Sequence, residues 1–441
     1  DDAFYIDSYL TYDQYVVNIN PSGFEDPNDR FKDETDFMLT LNGRRYYFAV
    51  NEFKPSLYNA TINYTVEDSA TDPTLDEICD GFFSKAVHYP VTMRQGTNEQ
   101  FFDTITDAVI AINAIETGDD ITVTLNKDSE PYKVETDVMI QNKVPVTFEA
   151  ANGINPVIDG EESHRIFRIS NEATATFKGI TFKNGDAFGW GAALLITNSR
   201  VELQGCTVTE NTISSTFGGI AMGGAVYVSG NDSIVILKNT LIDNNAITVN
   251  GYDGKGGGVA VFDSADIIIE NSTITNNTLN SGMGAGLYIK NGDSATLTNV
   301  AISGNTLEVT GSCGGGIYCS NSDSLTLDNC MITNNEAYSA GGIYATGIGS
   351  LEITDAVIAS NVADSTGGLG GGLYLLNMVD KVKTNGTVWS DSISTIPIGT
   401  TNSPLSVSTE GEYTEPAIDT DPVQIYGNTA SDGYQVYVFD E

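Results

Sequence analysis

The chain has 441 residues, too many for one compact core unless the architecture is repetitive. Fifty-nine Asp and Glu against twenty Lys and Arg give a formal net charge of −39, which repels phosphate backbones and excludes nucleic acid as a partner. No run approaches the ~18 apolar residues of a membrane-spanning helix, so direct membrane insertion is not expected, and 45 glycines describe a turn-rich all-β protein.

Residues 1–95 are expected to form a small, sandwich-like antiparallel β-domain. Phe37–Leu41 and Arg44–Val50 flank Asn42-Gly43, the dipeptide that suits a two-residue hairpin. Tyr15–Ile19 and Ala60–Val66 supply further strand patterns. The start, Asp1-Asp2-Ala3-Phe4, has neither the basic nor the apolar region of a signal peptide. Residues 96–441 read as a second unit. A short amphipathic helix near 103–116 opens it, with Asp103 as N-cap and Ile105, Ala108, Val109 and Ile112 on one face. Such a helix covers the open end of a stack of strands, which otherwise invites edge pairing.

From residue 173 to 375 a unit of ~26–33 residues recurs. One apolar column reads Phe177, Leu203, Ile236, Ile269, Leu297, Leu327 and Ile353. A second reads Phe182, Val208, Leu241, Ile274, Ile302, Ile332 and Ile358. A polar column of Asn211, Asn244, Asn277, Asn305, Asn335 and Asn361 follows. A Gly-rich segment such as Gly314-Gly315-Gly316 then enters the next strand. Three short alternating segments per unit, with Asn or Gly at the breaks and no helical period, specify one coil of a right-handed parallel β-helix. Stacked coils are ~4.8 Å apart, so the asparagines form a side-chain amide ladder and the glycines supply corners with φ > 0 or close backbone approach. Residues 380–422 lose the repeat and read as an irregular loop or cap; a half-coil resumes at Ile425.

In the Gly-rich strands the residue between two inward positions points outward. That column reads Leu195, Tyr227, Ala260, Tyr288, Tyr318, Tyr344 and Tyr374. The tyrosines Tyr227, Tyr288, Tyr318, Tyr344 and Tyr374 are therefore the candidate binding stripe for sugar rings or a partner protein. Loops between the Asn and Gly columns either frame this stripe or cover it.

Catalytic signals are thin. Asp243, Asp328 and Asp355 lie near strand ends, but Asp328 is replaced by Leu, Thr or Gln in other copies and no paired carboxylates occur within the repeats. Histidine is limited to His88 and His164, and Arg165, Arg168, Lys178 and Lys183 form the locally basic region. The five cysteines, Cys79, Cys206, Cys313, Cys319 and Cys330, lack zinc spacing; Cys319 and Cys330 can pair only if neighbouring strands bring them within disulfide range, the odd count leaves at least one thiol free or intermolecular, and buried free thiols are the other reading. Gly367-Gly368-Leu369-Gly370-Gly371 lacks the Asp of a calcium nonapeptide, so no catalytic residue, metal site or cofactor is assigned beyond weak Ca²⁺ binding by surface carboxylates. Glycosylation sequons stand at Asn59, Asn63, Asn231, Asn271, Asn276 and Asn385.

The Gly-Gly-[Ala/Gly]-[Ile/Leu/Val]-Tyr and [Ile/Leu/Val]-x-x-Asn pairing resembles the repeats of chlamydial polymorphic outer-membrane proteins and of adhesin-like β-helix proteins of methanogenic archaea. Ile158-Asp159-Gly160, Ile166–Ile169 and Phe177–Gly185 are similar to the latter group. The resemblance implies an extracellular or cell-surface adhesin or structural shaft. Such a protein is non-catalytic and binds glycans, host or neighbour-cell proteins, or copies of itself in a filament or surface layer. The alternative is a carbohydrate-active β-helix enzyme, a polysaccharide lyase or hydrolase.

Overall fold

The computed structural model describes the backbone of three strands between residues 36 and 66, and then residues 90–388, 423–430 and 436–439. Short breaks fall at 128–129, 216–218, 249–252, 308, 310, 365–367, 377, 379–380 and 385–386. Tyr15–Ile19, Cys79, His88 and most of the 380–422 segment lie outside the described residues. The chain divides into two units between Tyr89 and Pro90. In the first, β1 (Asp36–Leu41), β2 (Arg44–Lys54) and β3 (Asn59–Val66) form an antiparallel sheet with β2 in the centre. Leu41 faces Arg44, the register that a two-residue connection at Asn42-Gly43 imposes.

The second unit is a parallel β-helix with three main faces. Each coil runs through face C, the Gly-rich strand (Ile317–Ser320 in one coil), then face A (Ser324–Asp328), then face B (Met331–Thr333). Each strand pairs in parallel with its counterpart one coil away, which builds ten-stranded faces B and C and a thirteen-stranded sheet along face A. Strand Val91–Gln95 belongs to this unit rather than to the N-terminal domain, because it pairs antiparallel with Ile121–Leu125 at the start of face A.

Alternation along every strand sends one set of side chains inside. Face A contributes Phe148, Phe177, Leu203, Leu237, Ile269, Leu297, Leu327 and Ile353, each in register with the next. Ile158, Phe182, Val208, Ile242, Ile274, Ile302, Ile332 and Ile358 line face B. All are fully buried in one continuous core. At the N-terminal end the filling turns aromatic: Phe148 stacks on Phe177 at 5.2 Å, and Phe182 meets Phe177 edge-on at 5.3 Å.

One coil departs from the sequence reading. Leu237 rather than Ile236 pairs with Leu203, and Ile242 rather than Leu241 pairs with Val208. In Ile234-Val235-Ile236-Leu237 both alternations are apolar, so alternation alone does not choose a register. A one-residue slip sends the opposite set of side chains inside. The ladder residue of that coil is accordingly Asn245, which is buried, whereas Asn244 is exposed at φ +53°.

The ladder runs Asn211, Asn245, Asn277, Asn305, Asn335, Asn361 and Asn428, every step an Nδ2 to Oδ1 hydrogen bond of 2.9 Å. Each Oδ1 also accepts the backbone N–H of the preceding ladder residue, as Asn335 does from Asn305 at 3.1 Å. Glycine at the entry to face C follows from this. Gly314 has φ +70°, and a Cβ on Gly316 would sit 3.1 Å from Asn335 Nδ2 and 2.7 Å from the Gly342 carbonyl.

The capping helix α1 spans Ile105–Asn113 and buries Ile105, Ala108, Val109 and Ile112. Its N-cap is Thr104, whose hydroxyl accepts from Asp107 N at 3.0 Å, so the cap is one residue beyond Asp103. At its other end Asn113 donates to the Met139 carbonyl at 2.6 Å and accepts from Gln141 N at 3.0 Å, which ties the helix to the first coil. No helix among the described residues is long and apolar enough to cross a membrane.

Candidate functional site

The site is decided by what happens between faces B and C. After the ladder asparagine each coil makes an excursion: an outgoing ladder from Asp186–Phe188 to Val362–Ala363, and a returning one of Ile220–Met222, Asp253–Lys255 and Gly282–Met283. Single bridges extend the returning ladder to Trp190 at one end and to Cys313 and Ser339 at the other. Ile213, Ile247, Leu279 and Leu307 fill the space between the two ladders.

The returning ladder lies over the tyrosine column. The rings of Tyr288, Tyr318, Tyr344 and Tyr374 do stack, with centroids 5.2, 5.1 and 4.8 Å apart. They do so beneath a cover: Met222, Met283 and Cys313 pack on Tyr227, Tyr288 and Tyr318, and Lys255 Nζ is 5.9 Å from the Tyr288 ring centroid. Tyr288 is 2% exposed, Tyr318 8% and Tyr227 9%, while Tyr344 and Tyr374 are half-buried. Burial raises the phenol pKa of Tyr227, Tyr318 and Tyr344. Over Tyr227, Tyr288 and Tyr318 the stripe is therefore a covered seam rather than an exposed binding face, because the excursions that vary most in length fold back across it.

The cover begins at Trp190. One coil earlier the connection Gly160–Ile166 is short and makes no returning strand, so the outward residue of face C there, Arg168, is exposed. The step where the cover starts is a cleft of about 330 Å³. Arg168 and Leu195, neighbours in the outward column of face C, line it together with Phe188 and Trp190, which are 49% and 46% exposed. Trp190 lies over Tyr227 with centroids 6.3 Å apart, so the cleft abuts the first ring of the covered seam.

Arg165 anchors this corner. It is buried, pairs with Asp137 through Nη1, and donates from Nε to the Gly191 carbonyl at 3.0 Å and from Nη2 to the Trp190 carbonyl at 2.8 Å. Burial lowers its pKa and the Asp137 charge opposes the fall, as expected for a desolvated guanidinium with one counter-ion. Half-buried His164 and Asp186 also line the cleft, as does Asp137; Asp186 accepts from the Ser214 hydroxyl at 2.6 Å and its N–H donates to the His164 carbonyl at 3.1 Å. Of the basic region read from sequence, Arg165 and Arg168 come together here. Lys183 instead pairs with Glu210 at 3.1 Å.

Two overlapping stretches, residues 132–279 and 247–386, match the family model of the right handed beta helix region, together more than half of the chain. The chain belongs to the right-handed β-helix family. No curated protein and no solved structure matches it. This β-helix fold serves enzymes and non-enzymes alike, so the family does not decide the chemistry.

The carboxylates singled out by position do not converge. Asp243 accepts from Asn276 Nδ2 at 2.9 Å, Asp328 ends a face A strand in another coil, and Asp355 holds a corner at φ +49°. None of the three lines the cleft. Cys319 and Cys330 are both free, as are Cys206 and Cys313. Cys319 faces the core and Cys330 sits at the corner between faces A and B, where its thiol meets the Leu297 carbonyl at 3.4 Å. Among the described residues no group of three or more His, Cys, Asp or Glu is placed to hold a metal ion. Phe188 and Trp190 were not singled out by sequence reasoning. The signal available was Gly-Asp-Ala-Phe-Gly-Trp-Gly, two aromatics amid glycines, one of them a tryptophan that the corresponding segments of the repeat lack.

Proposed function

We propose that this β-helix is an extracellular or cell-surface shaft protein that binds glycan at the cleft beside Trp190 and performs no catalysis there. The observation that carries the reading is the pairing of exposed Phe188 and Trp190 with Arg168 and His164 in one concavity. Aromatic faces accept the apolar face of a sugar ring, while the polar side chains around them address its hydroxyls. The scaffold beneath is a continuous core shared by every coil, with the amide ladder adding register from Asn211 onward. Packing of this kind limits the ordering cost of binding.

The test is calorimetric titration of the full chain with a panel of defined oligosaccharides, alongside Trp190→Ala. Saturable binding by the wild type and its loss in the variant, with an unchanged melting temperature, is the expected result. Absence of binding across the panel overturns the reading. Release of new reducing ends or unsaturated products, abolished by changing Asp186 or His164, replaces it with the enzyme alternative.

A further inference from the structure

Resting on the glycan reading, we propose that the cleft selects saccharides that carry an anionic group, a carboxylate or a sulfate ester, and that Arg168 is the residue that selects. Two arginines meet at this step of the helix, and their situations differ. Arg165 is buried and fully engaged by Asp137 and the carbonyls of Trp190 and Gly191, so it holds the wall in place and has little left to offer a ligand. Arg168 stands outward on face C between buried Phe167 and Ile169 and is exposed, and its side chain makes no ion pair or hydrogen bond with any described residue.

Two carboxylates line the cleft, and both are engaged by other residues: Asp137 pairs with Arg165. Asp186 turns to Ser214, accepting from its hydroxyl at 2.6 Å and its backbone N–H at 3.3 Å. In a chain of net charge −39, an arginine without a counter-ion in an aromatic-walled cleft marks a place where the anion comes from outside. The distant negative charges are screened beyond ~10 Å at ordinary ionic strength, so the contact itself governs the preference. The planar guanidinium offers two parallel N–H donors, which match carboxylate and sulfate oxygens alike. With a sugar ring on Trp190, a substituent directed along face C toward the coil without a cover reaches Arg168.

The experiment compares three oligosaccharide arms of the same linkage: the neutral parent, its uronate form and its sulfated form. The wild-type chain is expected to bind at least one anionic form about tenfold or more tightly than the neutral parent, with the preference shrinking as salt is raised. Arg168→Gln, at an exposed position, should melt like the wild type and lose the anionic preference, binding the uronate and sulfated arms no more tightly than it binds the neutral parent. The two anionic arms show which group is preferred. Equal affinity of the wild type for all arms, or an anionic preference that survives Arg168→Gln, overturns the selection by Arg168. In that case binding that still depends on Trp190 leaves the glycan reading standing. Failure of every arm to bind removes both.

Discussion

Trp190 lies over Tyr227, ring centroids 6.3 Å apart and planes 27° from parallel, and this contact marks the point where an exposed cleft passes into a covered seam. On the Tyr227 side the returning ladder seals the column; on the Trp190 side face C is open. The column is thus one chemical pattern put to two uses along the helix.

Because Tyr288 is sealed, its ring is part of the packing. Tyr288→Ser should cost about 3 kcal/mol or more, in the range of large-to-small core changes, with Tyr318 and Met283 losing contact. Urea unfolding of the single variant checks this. A change below about 0.5 kcal/mol would mean that the returning ladder does not close over the ring.

The ladder register is tested by two adjacent asparagines. Asn245 donates to Asn277 Oδ1 at 2.9 Å and to the Val208 carbonyl at 3.0 Å, and accepts the Asn211 amide at 2.9 Å. Asn245→Ala strands buried donors and acceptors on both sides and should lower stability by about 3 kcal/mol. Asn244→Gly, at an exposed position with φ +53°, should stay within about 0.5 kcal/mol. The reverse ranking would restore the register with Asn244 inside.

Asp137→Ala removes the carboxylate that pairs with buried Arg165 and should cost about 3 kcal/mol, since the guanidinium loses its counter-ion in a desolvated site. The double change Asp137→Ala with Arg165→Leu should recover much of the loss. A double-mutant cycle in urea, with no recovery, would count against this pairing.

Alkaline pH should weaken the β-helix near the capped end. Tyr132 donates to the Pro90 carbonyl at 2.6 Å, and burial pushes its pKa up to about 12 from the usual 10. A raised value means that the neutral form is favoured in the folded state, so the stabilisation is intact below pH 10 and is lost as pH rises through 12. Buried Cys206 and Cys330, both raised to about 11 by burial, act in the same direction from a lower starting pH. Denaturant unfolding at pH 8 and pH 10.5 should show lower stability at the higher value, and Tyr132→Phe should reduce the difference. An equal difference in the variant would exclude Tyr132.

The sequence by itself determined the β-helix, because stacking coils repeats a one-dimensional pattern. Ile274, Ile302 and Ile332 recur in step with Asn277, Asn305 and Asn335, and only a parallel stack makes such columns contiguous. It also determined the capping face of α1, where four apolar residues follow the helical period. Register in the coil around Leu237 was beyond it, since Ile234-Val235-Ile236-Leu237 is apolar on both alternations and only the pairing of neighbouring coils selects the inward set. The fate of the tyrosines was likewise settled in three dimensions. Alternation places Tyr288 outside the main core, but whether outside means exposed depends on excursions from other coils, which have no fixed length. The cleft exists for the same reason: Arg168, Phe188 and Trp190 come from successive coils and meet only where a short connection leaves the first step of the cover unbuilt.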